Sequence, residues 1–234
     1  MSSRPWQEIY TDGEYLGRNP TWDVEDSPWK ARHIAQMLAR NRLVPRSVCD
    51  VGCGAGEVLR RLSEVMPEGT LFDGYEISPQ AYELACRRAN DRLRFHLGDP
   101  LAEDAFYDLV LCIDVVEHLE DPFSFLRKLR AKGEHKLFHI PLDMSAHMII
   151  RVEPLLRVRA RCGHIHYFSK ETALELLKDT GYTIIDHTFT ASVADLGRSA
   201  RFRIARYPRK ALFALNQDLA VRLLGGYSLM VLAR

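Results

Sequence analysis

The chain has 234 residues, 47% of them hydrophobic and 27% charged, which excludes a disordered chain and suits one domain carrying insertions. No stretch offers the ~18 consecutive apolar residues of a membrane-spanning helix, the polar start MSSRPWQEIYTDGEY lacks the apolar centre of a secretory signal, and five cysteines, an odd number, read as reduced thiols of a cytoplasmic protein. The net charge of +1 conceals an asymmetry, with 18 Lys and Arg against 24 Asp and Glu in residues 1–150 and 14 against 7 in residues 151–234, so the expectation is a locally basic rim and not a nucleic-acid-binding surface.

In chain order, a lead over residues 1–42 contains the tryptophan-rich loop PTWDVEDSPWKAR. There Ser27-Pro28 supplies an N-cap and a helix-compatible proline ahead of a helix over Trp29–Leu38. A β-rich run at Ser47–Val51 enters VCDVGCGAGEVL, whose glycines turn the chain into a helix over Glu57–Met66. Further β-rich runs follow at Leu71–Glu76, Leu93–Leu97, Asp108–Ile113, Lys136–Ile140, Tyr182–Phe189 and Tyr227–Leu232. Ser78-Pro79 and Asp121-Pro122 open helices between them, and Ser169 opens KETALELLKDT, which Gly181 closes. Strand then helix, repeated, predicts an α/β fold: a doubly wound, seven-stranded, mostly parallel sheet with helical insertions. Residues 142–168, with Pro154 and the basic stretch RVEPLLRVRAR, interrupt the alternation, as do residues 190–225 with GRSARFRIARYPRK. The expected organisation is a single domain over 1–234, with a lid-like lead over 1–42, a core over 43–190 and a helical insertion over 191–225. Such additions pack at the carboxyl ends of the strands, where open α/β sheets bind ligands.

The stretch VCDVGCGAGEVL, residues 48–59, carries the most information. Gly52, Gly54 and Gly56 permit backbone angles that a Cβ forbids and let a ligand approach the main chain. A dinucleotide phosphate loop wants glycine at position 57, where this chain has glutamate beside the place of a pyrophosphate. Acids at Asp50 and Glu57 therefore suit a ligand carrying positive charge.

These residues resemble motif I of the class I S-adenosylmethionine-dependent methyltransferases, and later elements fall in that family's order. GYEISP (74–79) sets Glu76 at the end of the second strand, where the resemblance implies an acid that holds both ribose hydroxyls. LGDP (97–100) sets Asp99 where the family meets the adenine amino group. FYDLVLCIDVVEHLEDP (106–122) and GHIHYFSKETALELLKDTGY (163–182) resemble the branch that includes ubiquinone-biosynthesis O-methyltransferases. The resemblance implies S-adenosylmethionine as cofactor, held by Asp50, Gly52, Cys53, Gly54, Gly56, Glu76, Ile77 and Asp99. It places Asp114 and Val115 at the cofactor's methionine end. It implies methylation, expected on oxygen, of a small or carrier-linked acceptor.

A hydroxyl acceptor needs a base, and histidine is suited by its unperturbed pKa of ~6.5. Asp114, Glu117, His118, His164 and His166 are the candidates, with His118 and His166 the catalytic choices; an extended segment would point His164 and His166 the same way. An alternative is a metal-assisted methyltransferase of RNA 3′-terminal 2′-hydroxyls, whose Glu-x-x-Glu-His…His set Asp114, Glu117, His118 and His164 or His166 resemble. Here the first position is aspartate, and the preferred expectation has no metal. A further alternative is a non-catalytic binding module that keeps the fold. Arg157, Arg159, Arg161, Arg198, Arg201 and Arg203 either flank the pocket to attract an anionic acceptor, rest on an anionic membrane surface, or form a solvated helix face. Trp22, Trp29 and Tyr15 form either a lid over the cofactor or ordinary packing.

Overall fold

A computed structural model describes residues 8–22, 24–192, 195 and 200–234, with the side chains of 8, 9 and 200–206 outside the description. Arg198, and the side chains of Arg201 and Arg203, therefore lie outside the described residues. The chain runs α1 (Glu8–Thr11), α2 (Glu14–Arg18), α3 (Ser27–Arg40), β1 (Ser47–Val51), α4 (Glu57–Val65), β2 (Leu71–Glu76), α5 (Pro79–Cys86), β3 (Leu93–Leu97) and β4 (Tyr107–Ile113). It continues with α6 (Pro122–Leu129), β5 (Gly133–Pro141), α7 (Ala146–Arg151), α8 (Glu153–Cys162), α9 (Lys170–Asp179), β6 (Ile184–Thr190), α10 (Ala200–Leu215), α11 (Gln217–Leu224) and β7 (Ser228–Ala233).

The seven strands form one sheet in the order β3-β2-β1-β4-β5-β7-β6, all parallel except β7, which runs antiparallel to β5 and β6. Strand residues alternate between two packed faces because successive side chains point to opposite sides of a pleated sheet. Val48, Leu109, Leu111 and Leu137 pack with Ile34 and Met37 of α3 and Leu59 of α4. Their chain neighbours Cys49, Val110, Cys112 and Phe138 pack with α6, α9 and α11 through Leu126, Leu177 and Val221. The order reverses at β1, whose neighbours are β2 and β4, so the crossovers diverge there and open a crevice at the carboxyl end of the sheet.

Several caps form as expected. Ser78 Oγ accepts from Ala81 N–H, Asp121 Oδ1 from Ser124 N–H, and Ser169 with Thr172 completes a reciprocal capping box on α9. The start of α3 differs: Ser27 lies inside the helix, and Asp26 at the cap position makes no capping bond. Its carboxylate is drawn instead to Lys30 Nζ, 3.0 Å away. β6 begins at Ile184 rather than Tyr182, because the Tyr182 hydroxyl donates to Leu126 O at 2.7 Å and its ring stands edge-on to Phe138. β7 begins one residue late because Tyr227 stacks on Phe213, ring centroids 5.1 Å apart. Among the described residues no helix is long and apolar enough to cross a membrane.

Candidate functional site

The chain leaves β1 at Val51 and bends at once, Gly52 and Cys53 N–H both donating to Tyr75 O at 2.9 and 3.0 Å. Gly52 and Gly54 sit at φ of +70° and +56°, the left-handed region that side chains avoid. A Cβ on Gly52 would meet Val115 Cγ2 at 2.9 Å, and one on Gly54 would meet the Trp22 indole at 2.7 Å. Gly56 packs instead against the Phe95 ring, on the side away from the cavity.

Asp50, next to last in β1, is 2% exposed, and its Oδ1 has no hydrogen-bond partner. Burial first, and then the charge of Glu76, push its pKa up to about 8, against the pull of Lys30. Glu57 behaves differently from the expectation. Arg60, Arg61 and Arg88 hold its carboxylate at 2.7–2.9 Å, and the Arg60 hydrogen bonds lead in bringing its pKa down to about 2. Its charge is thus compensated locally and does not repel a ligand; the acid that faces the crevice unpaired is Asp50.

Glu76 is 6% exposed. Its Oε2 accepts from Gly54 N–H at 2.8 Å and its Oε1 from Ser78 N–H at 2.9 Å, so it ties the glycine turn to the start of α5. Burial raises its pKa against these bonds. Cys53 lies buried at the cavity wall. Ile77 is exposed, and exposed Asp99 caps its own turn by accepting from Leu101 N–H at 2.8 Å. Neither residue, nor Glu76, Val115 or His166, reaches the wall of the cavity.

Asp114 does line it, in a left-handed conformation (φ +54°) that a non-glycine residue adopts only under constraint. The constraint is visible: Lys30 Nζ lies 2.7 Å from Oδ2 and His139 Nδ1 2.5 Å from Oδ1, while His139 Nε2 meets Thr190 Oγ1 at 2.9 Å. Against burial, the charges of His139 and Lys30 hold the Asp114 carboxyl far below the usual range. Lys30 and His139 escaped the sequence reading because each lies far from position 114 in the chain.

His118, Asp143 and His164 line the cavity together with Asp114, and buried Glu117, off the wall, sets Oε1 3.7 Å from His118 Nε2 and 3.9 Å from His164 Nε2. Glu117 is fully buried, and burial raises its pKa to about 8. His118 Nδ1 lies 2.9 Å from the Tyr10 hydroxyl and 3.1 Å from Gly163 O. Burial and then the neighbouring His164 lower the His118 pKa to about 4, so its ring is neutral at pH 7. His164 Nδ1 meets Asp143 Oδ2 at 2.7 Å, and that bond with the Glu117 charge raises its pKa against burial. The two later histidines do not point the same way. Ile165 and His166 N–H both donate to Glu117 O, at 2.9 and 3.1 Å, which bends the segment out of the extended alternation. His164 then faces the cavity, while His166 turns to Leu119 O at 2.8 Å and leaves the site. Asp114, committed to Lys30 and His139, stands apart from Glu117, His118 and His164, which gather by themselves.

The cavity measures about 1230 Å³. Arg151, Arg157 and Arg161 from α7 and α8 also line it, together with Arg209 from α10; Arg159 does not. Both basic stretches thus contribute to one rim. The lead crosses the carboxyl ends of β1 and β2, fastened by the Gln80 side-chain amide donating to Thr11 O at 3.1 Å and by Tyr10 on His118. Tyr15 and Trp22 rings lie 4.8 Å apart over the glycine turn. Trp29 is buried in α3, edge-on to His139.

An unpartnered buried carboxylate oxygen suits a cationic ligand, and glycines at positive φ on the cavity wall suit one pressed against the main chain. These residues fit S-adenosylmethionine. Comparisons with known proteins agree. The family described as a methyltransferase domain matches residues 27–187. The chain is 28% identical over 165 residues to a ubiquinone biosynthesis O-methyltransferase of Vibrio campbellii, covering 62% of this chain and 68% of that one. It is 23% identical over 189 residues to a magnesium-protoporphyrin O-methyltransferase of Synechocystis, covering 76% and 81%. In fold it is similar to the crystal structure of magnesium protoporphyrin IX methyltransferase from Synechocystis with bound S-adenosylmethionine, at 16% identity and a TM-score of 0.63, over 100% of this chain and 98% of that one. The chain belongs to the methyltransferase-domain family, and it is a class I enzyme that takes its methyl group from S-adenosylmethionine.

Proposed function

We propose that the chain methylates an oxygen of a small or carrier-linked acceptor that carries an anionic group. The observation that carries this reading is one cavity lined by Asp50 and the glycine turn, by His118 and His164, and by Arg157, Arg161 and Arg209. Pockets for one drug-sized ligand run to ~300–1,000 Å³, so about 1230 Å³ leaves room for cofactor and acceptor together.

When bound, S-adenosylmethionine supplies an electrophilic methyl and leaves as a neutral thioether, so the leaving group needs no acid. The protein's work is to bind, align and deprotonate. Main-chain faces of Gly52 and Gly54, the Cys53 wall and the unpaired oxygen of Asp50 hold the cofactor. Each Glu76 oxygen keeps a second lone pair for a ribose hydroxyl, which reaches it once the Trp22 indole over Gly54 moves aside. Asp114, locked by Lys30 and His139, fixes the floor between cofactor and acceptor. The lead excludes water, and alignment of the acceptor oxygen with the methyl supplies several kcal/mol. The acceptor's proton is taken at the Glu117–His118–His164 end, which the neutral His118 ring supports. Arg157, Arg161 and Arg209 draw an acceptor carboxylate or phosphate to the mouth. We read residues 1–234 as one domain built on one sheet. The five free cysteines support a reducing, cytoplasmic setting.

The test is transfer of labelled methyl to a panel of phenols, catechols and carboxylic acids, each with and without an added carboxylate or phosphate. The expected result is oxygen methylation favouring the anionic members. Methylation confined to amines, or indifference to the anionic group, contradicts the reading.

A further inference from the structure

The insertions over the sheet bring cations together without a counter-ion. Arg40, Arg60, Arg88 and Arg222, on other parts of the molecule, each reach a carboxylate. Arg151 and Arg209 line the cavity and, among the described residues, form no ion pair, because Glu153 is taken by Arg157 and Asp195 by Lys210. Like charges held near one another cost free energy, and an anion seated between them removes that cost.

The local chain fixes their placement. Gly225 and Gly226, at φ of +65° and +75°, turn the chain out of α11. A Cβ on Gly225 would meet Ser145 Oγ at 2.7 Å and Met148 Cγ at 3.3 Å, so only glycine lets this turn lie against the start of α7. Arg209 is anchored on the same turn: its Nη1 donates to Gly225 O at 2.7 Å and its Nη2 to Leu224 O at 3.0 Å. Those carbonyls close the end of α11 and hold the guanidinium half-buried, with further N–H donors left for a ligand. On α7, Arg151 Nη1 donates to His147 Nε2 at 3.4 Å, since a guanidinium has no acceptor. The imidazole is therefore neutral and keeps an N–H at Nδ1. Burial, and then the charges of Arg151 and Arg209, lower the His147 pKa, so both guanidiniums act on one ring.

We propose that His147, Arg151 and Arg209 bind a phosphate group, the ester handle of the acceptor. A carboxylate offers two oxygens in one plane, which one guanidinium fork satisfies. Phosphate offers three terminal oxygens and nearly two charges, which match two guanidiniums and an imidazole N–H arriving from two helices. The inference rests on the function proposed above and narrows it: the anionic acceptor is a phosphate ester, and His147 and Arg151, given no part there, join Arg209 in holding it. His118 and His164 line the same cavity, so one acceptor spans the handle site and the reacting end.

The test is calorimetry on the full chain with S-adenosylhomocysteine present, using phenyl phosphate, inorganic phosphate and benzoate as probes. Phenyl phosphate should bind at least about tenfold more tightly than benzoate, and Arg151→Gln and Arg209→Gln should each weaken it at least about tenfold. Arg151 is exposed at the end of α7, so its variant reads the site even where Arg209→Gln disturbs α11. Arg222→Gln, which removes an arginine away from the cavity, should leave phosphate binding unchanged. Benzoate bound as tightly as phenyl phosphate overturns the proposal, as does phenyl phosphate affinity unaltered in Arg151→Gln or equally weakened in Arg222→Gln. Labelled-methyl transfer to 4-hydroxyphenyl phosphate and to hydroquinone then separates the sources of phosphate. Preference for the ester, lost in Arg151→Gln, supports the handle. Transfer indifferent to the ester, in a chain whose inorganic phosphate binding Arg151→Gln abolishes, overturns the handle in favour of a site for free phosphate. Arg151-dependent phenyl phosphate binding in a chain that methylates amines alone supports the phosphate site and contradicts the oxygen-acceptor reading instead.

Discussion

Asp50 and Glu76 are two buried acids with opposite surroundings, and each yields its own prediction. Glu76 has both oxygens on main-chain N–H groups, whereas Asp50 Oδ1 has no partner. Replacing Glu76 by Gln removes the charge that strengthens bonds to ribose hydroxyls, and calorimetry should show cofactor affinity at least tenfold weaker, ~1.4 kcal/mol; unchanged affinity counts against its role. For Asp50, the native pKa of about 8 stands above the ordinary 3.8. The folded chain therefore holds a proton that the unfolded chain releases between those values, and stability falls as pH rises from about 4 to about 8. Asp50→Asn lacks that dependence, so its melting temperature should exceed that of the wild type by more at pH 8 than at pH 5, while its cofactor affinity drops. Parallel melting curves across pH would contradict this. The positions of Asp50, next to last in β1, and Glu76, last in β2, were legible in the sequence because both elements read from local pattern. Lys30, His139 and Asp143 were not, since only the packed sheet brings them to Asp114 and His164.

At the scale of elements, the strand, glycine turn and helix around residues 47–65 read directly from local pattern, as did the caps at Ser78, Asp121 and Ser169. Strand direction is not local, and no periodicity reveals that β7 runs backwards between β5 and β6. The ring of His166 was misplaced for a related reason: a shared acceptor, Glu117 O, bends a segment that alternation treats as straight. The lead gives the prediction that belongs here. Trp22 covers the Gly54 face that a ligand must approach, so its indole must change surroundings when cofactor binds. Titration with S-adenosylhomocysteine should change the intrinsic fluorescence, and Trp22→Ala should remove most of that change while Trp29→Phe keeps it. A signal that persists in Trp22→Ala would show that the lead does not respond.

For the molecule as a whole, the charge asymmetry visible in the sequence acquires a position. Arg157 and Arg161 on α8 and Arg209 on α10 come from the two separate basic stretches, yet they line one cavity. Arginines and the buried acids Asp50 and Asp114 thus line one space. The composition announced the rim, but its convergence depended on how α7, α8 and α10 pack over the sheet. The central claim is that the donor lies against the glycine turn with its reactive end toward Glu117, His118 and His164. A crystal structure with S-adenosylhomocysteine tests it most directly. The account predicts the ligand along Gly52 and Gly54, the ribose on Glu76, and the sulfur facing the cavity end that holds His118. A ligand bound elsewhere, or a sulfur turned away from that end, would contradict it.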